Sequence, residues 1–260
     1  MSDFDEEAAL RRRFVSEALQ NPHNAAILER LPLLGLPDAW LVAGCLFQTV
    51  WNLHSGHAPE ARIKDYDLFY FDAGDLSAAA EEAVQARAAA LFADLPITVE
   101  AKNQARVHLW YEEWFGYPYI ALTSAREGIG RFLVPCTCVG LQPGRLRDRT
   151  HRSEAFENRG SLGATDKPRA GPWAQEVVPD ETGLPSVAAD APSAAQPPSP
   201  SGPVLHAPYG LDELYAGILR PNHACPHLPL FDAKAASYQQ RWPWLQIKRE
   251  FNPREQSASR

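Results

Sequence analysis

The chain has 260 residues, 45% of them hydrophobic, and a formal net charge of −7. That is enough material for one large domain or two modest ones, and the acidic balance argues against broad adhesion to nucleic acid or acidic lipid. No stretch approaches the roughly 18 continuous apolar residues of a membrane span, the start MSDFDEEAALRRRF lacks the apolar core of a signal peptide, and the four irregularly spaced cysteines make no disulfide framework, so a reducing cytoplasm is the expected location.

Leu10, Phe14 and Ala18 fall at helical spacing and predict an amphipathic helix over residues 5–19. Asn21-Pro22 ends it, and Asn24 is placed to cap a second helix running to about Leu31. Pro37-Asp38 signals a turn before the apolar strand Trp40-Leu41-Val42-Ala43. Gly44 stops that strand, and Leu46, Phe47, Val50 and Leu53 resume helical spacing. Asp65 and Asp67 then head an apolar and aromatic run, Tyr66-Leu68-Phe69-Tyr70-Phe71, that reads as a buried strand. An alanine-rich helix follows over about 76–92, built from strong helix formers. Pro96 opens a third strand over 97–101, and residues 103–115 and 124–132 read as helical.

The composition changes after Gly144: nine of the 23 prolines lie between Lys167 and Pro203, among Ala, Ser, Gly and acidic residues. Such a segment cannot bury enough apolar surface to offset its ordering entropy. Residues 145–202 are therefore expected to be a disordered insertion, separating a core over 1–144 from a C-terminal strand and helices over 203–260 that complete the same domain. In that last part, helices are expected over 211–219 and 233–241.

Side chains two apart on a strand share a face, so Asp65 and Asp67 stand about 7 Å apart on one side of theirs. Two such carboxylates repel each other, and a hard divalent cation is the usual remedy, because Mg²⁺ takes carboxylate oxygens together with substrate phosphates. Alternation puts Glu100 on one face with Thr98 of the third strand. The turn at Gly44-Cys45 lets backbone approach a ligand, and the helix start offers N–H groups and a positive dipole end to phosphate. If the three strands pair, these elements describe a metal-assisted phosphoryl-transfer site.

The order of strand, Gly-containing turn, helix, Asp-x-Asp strand and later acidic strand residue resembles the nucleotidyltransferase superfamily of polymerase-β-like fold. The blocks WLVAGCLFQTVWN, IKDYDLFYFD, KNQARVHLW and APYGLDELYAGILRPN are similar to those of a bacterial nucleotidyltransferase-like family. The resemblance implies an α+β fold: a small mixed sheet flanked by helices, with C-terminal helical elements. It implies an Mg²⁺-dependent enzyme that moves a nucleoside monophosphate from an NTP to a small-molecule or protein hydroxyl and releases pyrophosphate. Nucleic acid is not the expected partner.

In that reading Asp65 and Asp67 hold the metal, and Glu100 completes a second metal site and helps deprotonate the acceptor. Gly44 and Cys45 present backbone N–H groups to the phosphates. Lys64, Gln48 and Arg106 are further candidates for the nucleotide, Arg106 because guanidinium suits phosphate geometry. Each has a plainer alternative: Lys64 neutralises the aspartates, Gln48 and Asn52 bond a neighbouring loop, and Arg106 joins Asn103, Gln104 and His108 in a buried polar cap. Superfamily members carry Gly or Ser where this chain has Cys45, which favours the alternative of a degenerate, nucleotide- or partner-binding member. Cys136-Thr137-Cys138 and His223 to His227 are spaced more tightly than structural zinc prefers. The run Arg145, Arg147, Arg149, Arg152 reads as a solvated linker, and Trp110, Tyr111, Trp114 and Phe115 read as core rather than as a stacking platform.

Overall fold

The computed structural model describes residues 3–144, 202–226 and 228–249. The insertion expected over 145–202, its arginine run included, falls outside these residues apart from Gly202.

β1 (Trp40–Val42) is three fully buried residues at the centre of a five-stranded sheet. β2 (Asp65–Tyr70) pairs antiparallel with it on one side and β4 (Gly140–Gln142) on the other. β3 (Thr98–Asn103) runs parallel to β2, and β5 (Val204–His206) runs antiparallel to β4, giving the order β3-β2-β1-β4-β5. This is the small mixed sheet expected for the chain.

A parallel pair needs a crossover, which α4 (Ala78–Leu91) supplies between β2 and β3. Ser77 caps it, accepting from the Ala80 N–H. β3 is an edge strand, and α4 covers its open backbone groups. Gln85 donates to Val99 O and accepts from Ala101 N, while Glu81 accepts from Asn103 N.

Alternation sorts the sheet into two faces. Tyr66, Leu68 and Tyr70 join Leu41, Val99, Ala101 and Leu141 in the main core, under α1 (Asp3–Ala18), α2 (Pro22–Arg30) and α3 (Gly44–His54). On the other face Trp40, Val42 and Phe69 meet Ala125 and Ile129 of α6 (Ala125–Ile129). Asp65 and Asp67 share this second face with Phe69.

The C-terminal residues pack on α3 through rings. Trp51 is fully buried among Phe47, Tyr238, Trp242 and Trp244, with centroids 4.7 to 6.5 Å away. Its indole N–H donates to Leu214 O at 3.0 Å. A buried ring of this size removes about 200 Å² from water, roughly 5 kcal/mol as an upper bound. Around this cluster lie α7 (Asp212–Ala216), α8 (Phe231–Arg241) and the parallel pair β6 (Ile218–Leu219) and β7 (Gln246–Ile247). No helix among the described residues is long and apolar enough to cross a membrane.

Three expectations are corrected. Asn21, not Asn24, caps α2, accepting from the His23 N–H; Asn24 is buried and donates to Ala18 O and Cys45 O. Residues 103–115 are not one helix. Asn103 ends β3, the Gln104 N–H extends the ladder to Tyr70 O, and a short 3-10 turn at Val107–Leu109 precedes α5 (Tyr111–Phe115). The helix expected over 211–219 stops at Ala216, where Gly217 turns left-handed into β6.

Candidate active site

The site begins at the turn from β1 into α3. Ala43 takes φ 54°, ψ −117°, a region costly for a residue with a Cβ. Its N–H donates to Val139 O, and its carbonyl accepts from Leu46 and Phe47 N–H. α3 therefore starts at Gly44 with its N-terminus toward a pocket that Ala43 and Gly44 help to line. Cys45 turns the other way. Its buried Sγ donates to Val42 O at 3.4 Å, and burial, with the Asp67 charge nearby, pushes the thiol well above its ordinary range. Only its backbone is available to the turn.

A buried polar network supports this helix start from behind. Cys45 O accepts from Thr49 Oγ1 at 2.6 Å and Asn24 Nδ2 at 2.9 Å, and Asn21 Nδ2 donates to Thr49 Oγ1 and the Tyr66 hydroxyl. These contacts tie α2, α3 and β2 together beneath the turn.

The carboxylates follow from strand register. Val42 pairs with Asp67, which brings Asp67 beside the end of β1, and Asp65 sits two residues away on the same face. Asp67 pairs in turn with Glu100, Asp65 with Thr98 and Phe69 with Lys102. Asp65, Asp67 and Lys102 line the pocket, whereas Glu100 stands beside Asp67 outside its wall. Among the described residues no three His, Cys, Asp or Glu side chains converge closely enough to hold a metal ion. The three carboxylates thus share a face without closing into one cluster. Two carboxylates on a pocket wall still fit a hard divalent ion, whose remaining ligands would be substrate phosphate oxygens and water.

The pocket has about 110 Å³ of water-accessible space. Besides the aspartates it is lined by Lys64, Lys102, Arg131 and Lys234 and by Phe47, Phe69, Trp110, Tyr111, Tyr119, Phe132 and Tyr238. Arg131 lies 5.1 Å over the Tyr119 ring and Lys234 5.2 Å over the Tyr238 ring. Burial raises the Tyr111 and Tyr119 hydroxyls above their ordinary value, so both remain neutral. Trp110 and Tyr111 are thus pocket wall as well as packing, and Trp114 is partly exposed. Lys102, Arg131 and Lys234 were not candidates from sequence. Strand alternation from Glu100 places Lys102 on the same face, but nothing local marks the other two.

The remaining candidates separate. Gln48, buried on α3, lines the pocket and accepts from Arg241 Nη1 at 2.8 Å. Asn52, one turn on, instead holds the loop before β2, donating to Pro59 O and Ala61 O. Arg106 is outside the wall. Its guanidinium bonds Glu81 at 2.5 Å and Leu76 O at 3.2 Å, with the pair nearly buried. Asn103 staples the end of β2, accepting from Asp72 N–H and donating to Asp72 O, while Gln104 reaches the pocket. Cys136, Cys138 and Cys225 are buried, Cys225 on the pocket wall, and His227 lies outside the described residues. Asn222 was missed. Buried, it donates to Gly130 O and Phe132 O and so fixes the wall that carries Arg131.

A solved NMR structure, described as revealing a CCA-adding enzyme head domain, is 21% identical, with 92% of this chain and 96% of that chain covered and a TM-score of 0.58. At that identity the likeness establishes the fold. No curated protein matches the chain. A family model described as Nucleotidyltransferase matches residues 29–152 and 198–247, well over half the chain and both sides of the pocket, and the protein belongs to that nucleotidyltransferase family.

Proposed function

We propose that the protein transfers a nucleoside monophosphate from an NTP to the hydroxyl of a small molecule or protein, with Mg²⁺, releasing pyrophosphate. The observation that carries this reading is the pocket wall itself, where Asp65 and Asp67 sit beside the Gly44 helix start in a cavity that also holds four cationic side chains.

In this reading the N-terminus of α3 and the cations Lys64, Lys102, Arg131 and Lys234 receive the polyphosphate. The aromatic wall faces the base. Asp65 and Asp67 would hold Mg²⁺, which supplies charge neutralisation at the phosphates. Glu100, beside Asp67, takes the acceptor's proton as its oxygen bonds to the α-phosphorus and the bond to the β-phosphate oxygen breaks. The protein contributes mainly positioning and preorganised charge. The net charge of −7 favours a small-molecule or protein acceptor over nucleic acid.

The test is calorimetric titration of the four NTPs with and without Mg²⁺, on the wild type and Asp65→Ala/Asp67→Ala, followed by transfer of label from α-labelled NTP. Mg²⁺-dependent binding that disappears in the double variant is the expected result. Absence of NTP binding in the wild type would overturn it.

A further inference from the structure

Gln48 is nine-tenths buried and polar, one helical turn beyond Gly44, and its amide has a fixed sense. Arg241, from the far end of α8, donates through Nη1 to Gln48 Oε1 at 2.8 Å. A guanidinium has no acceptor, so it can face only the oxygen of that amide. The NH₂ group is therefore turned the other way. It points at the start of α3: a Cβ placed on Gly44 would stand 3.1 Å from Gln48 Nε2. The amide thus adds two side-chain donors to the backbone N–H groups at the helix start, inside the pocket.

Arg241 is held in turn. Its Nη2 donates to Ala61 O at 3.2 Å, and its guanidinium lies 4.2 Å from the Trp242 ring centroid. Ala61 belongs to the loop leading into β2, so one guanidinium joins α8, the approach to the aspartate strand and the pocket amide.

We propose that Gln48 Nε2 is a hydrogen-bond donor to the nucleotide's polyphosphate and that Arg241 is the positioning residue that aims it. This rests on the reading of the pocket as an NTP site. It also explains why a neutral side chain suffices there: the cation behind the amide sets its direction and polarises it.

The experiment uses the full chain with Mg²⁺. Affinities for the best-binding of the four NTPs and for its nucleoside are measured together with thermal midpoints. Gln48→Glu keeps an acceptor for Arg241, now as an ion pair, but replaces the donors facing the phosphates with a carboxylate oxygen. NTP affinity is expected to fall about tenfold or more, with nucleoside affinity unchanged and the midpoint not lowered. Arg241→Met is expected to weaken NTP binding more than nucleoside binding, and to cost nothing further in a Gln48→Ala background. Unchanged NTP affinity in Gln48→Glu would overturn the assignment of the donor. A loss in Arg241→Met that persists in the Gln48→Ala background, or that falls equally on NTP and nucleoside, would overturn the positioning role. Failure of the underlying site reading is distinguishable, because the wild type itself would then bind no NTP.

Discussion

Asp67 and Glu100 are direct neighbours across the parallel β2–β3 pair, yet only Asp67 lines the pocket. In the function proposed above, Asp67 holds charge at the phosphates and Glu100 acts on the acceptor.

This division separates in kinetics. Asp67→Asn is expected to abolish Mg²⁺-dependent NTP binding and transfer together. Glu100→Gln is expected to keep NTP affinity while lowering kcat roughly 10²-fold or more, the usual effect of removing a general base. Parallel titrations and single-turnover label transfer check it. Equal loss of NTP binding in both variants would show that Glu100 shares the phosphate-facing role.

Arg106 is bound to Glu81 with both side chains nearly buried. Removing one partner of such a pair strands the other, so Arg106→Met is expected to cost roughly 3 kcal/mol or more in urea unfolding. NTP affinity of the folded variant should match the wild type. A variant of normal stability that binds NTP poorly would return Arg106 to the phosphate.

Ala43 sits in left-handed backbone at the turn. Ala43→Gly relieves strain of the order of 1–3 kcal/mol but gains unfolded-state entropy that offsets up to about 1 kcal/mol of it. A raised thermal midpoint is expected for Ala43→Gly and a lowered one for Ala43→Val. The reverse order would remove the strain argument.

His206 on β5 has its imidazole pKa lowered from 6.5, first by burial and then by the Arg126 and Arg11 charges, with a hydrogen bond to the Arg126 backbone and the Asp38 charge opposing. The folded state thus binds fewer protons there than the unfolded chain. Stability from this group is complete above about pH 6.5 and declines as pH falls toward the lowered value. Urea unfolding at pH 7.5 and 5.5 should show a smaller acid loss in His206→Gln than in the wild type. Equal losses would mean that His206 does not contribute.

The legible parts of this chain were the ones written in short-range pattern. Alternation along residues 65–70 and 98–103 gives the shared face of Asp65, Asp67 and Glu100, and Gly44 marks where β1 becomes α3. The reading failed where tertiary contacts overrule spacing. Val107, Trp110 and Tyr111 mimic a helix, but Asn103 is held at a strand end by Asp72. Arg241 and Gln48 are 193 positions apart, and Arg131 owes its place to Asn222, 91 residues later in sequence. Strands of two or three residues, such as β6 and β7, leave too little alternation to read.

The antiparallel pairing of β4 with β5 joins Gln142 to Val204 at one edge of the sheet. The described chain leaves the sheet at Gln142 and re-enters it at Val204, its partner in the ladder, so a cut between residues 145 and 201 severs neither β4 nor β5. Each piece would carry part of the pocket, with the aspartates on the first and Lys234 and Tyr238 on the second. The protein is in this sense already divided into complementary parts, held together by the β4–β5 ladder, the ring packing on Trp51 and the Asn222 bonds to Gly130 O and Phe132 O.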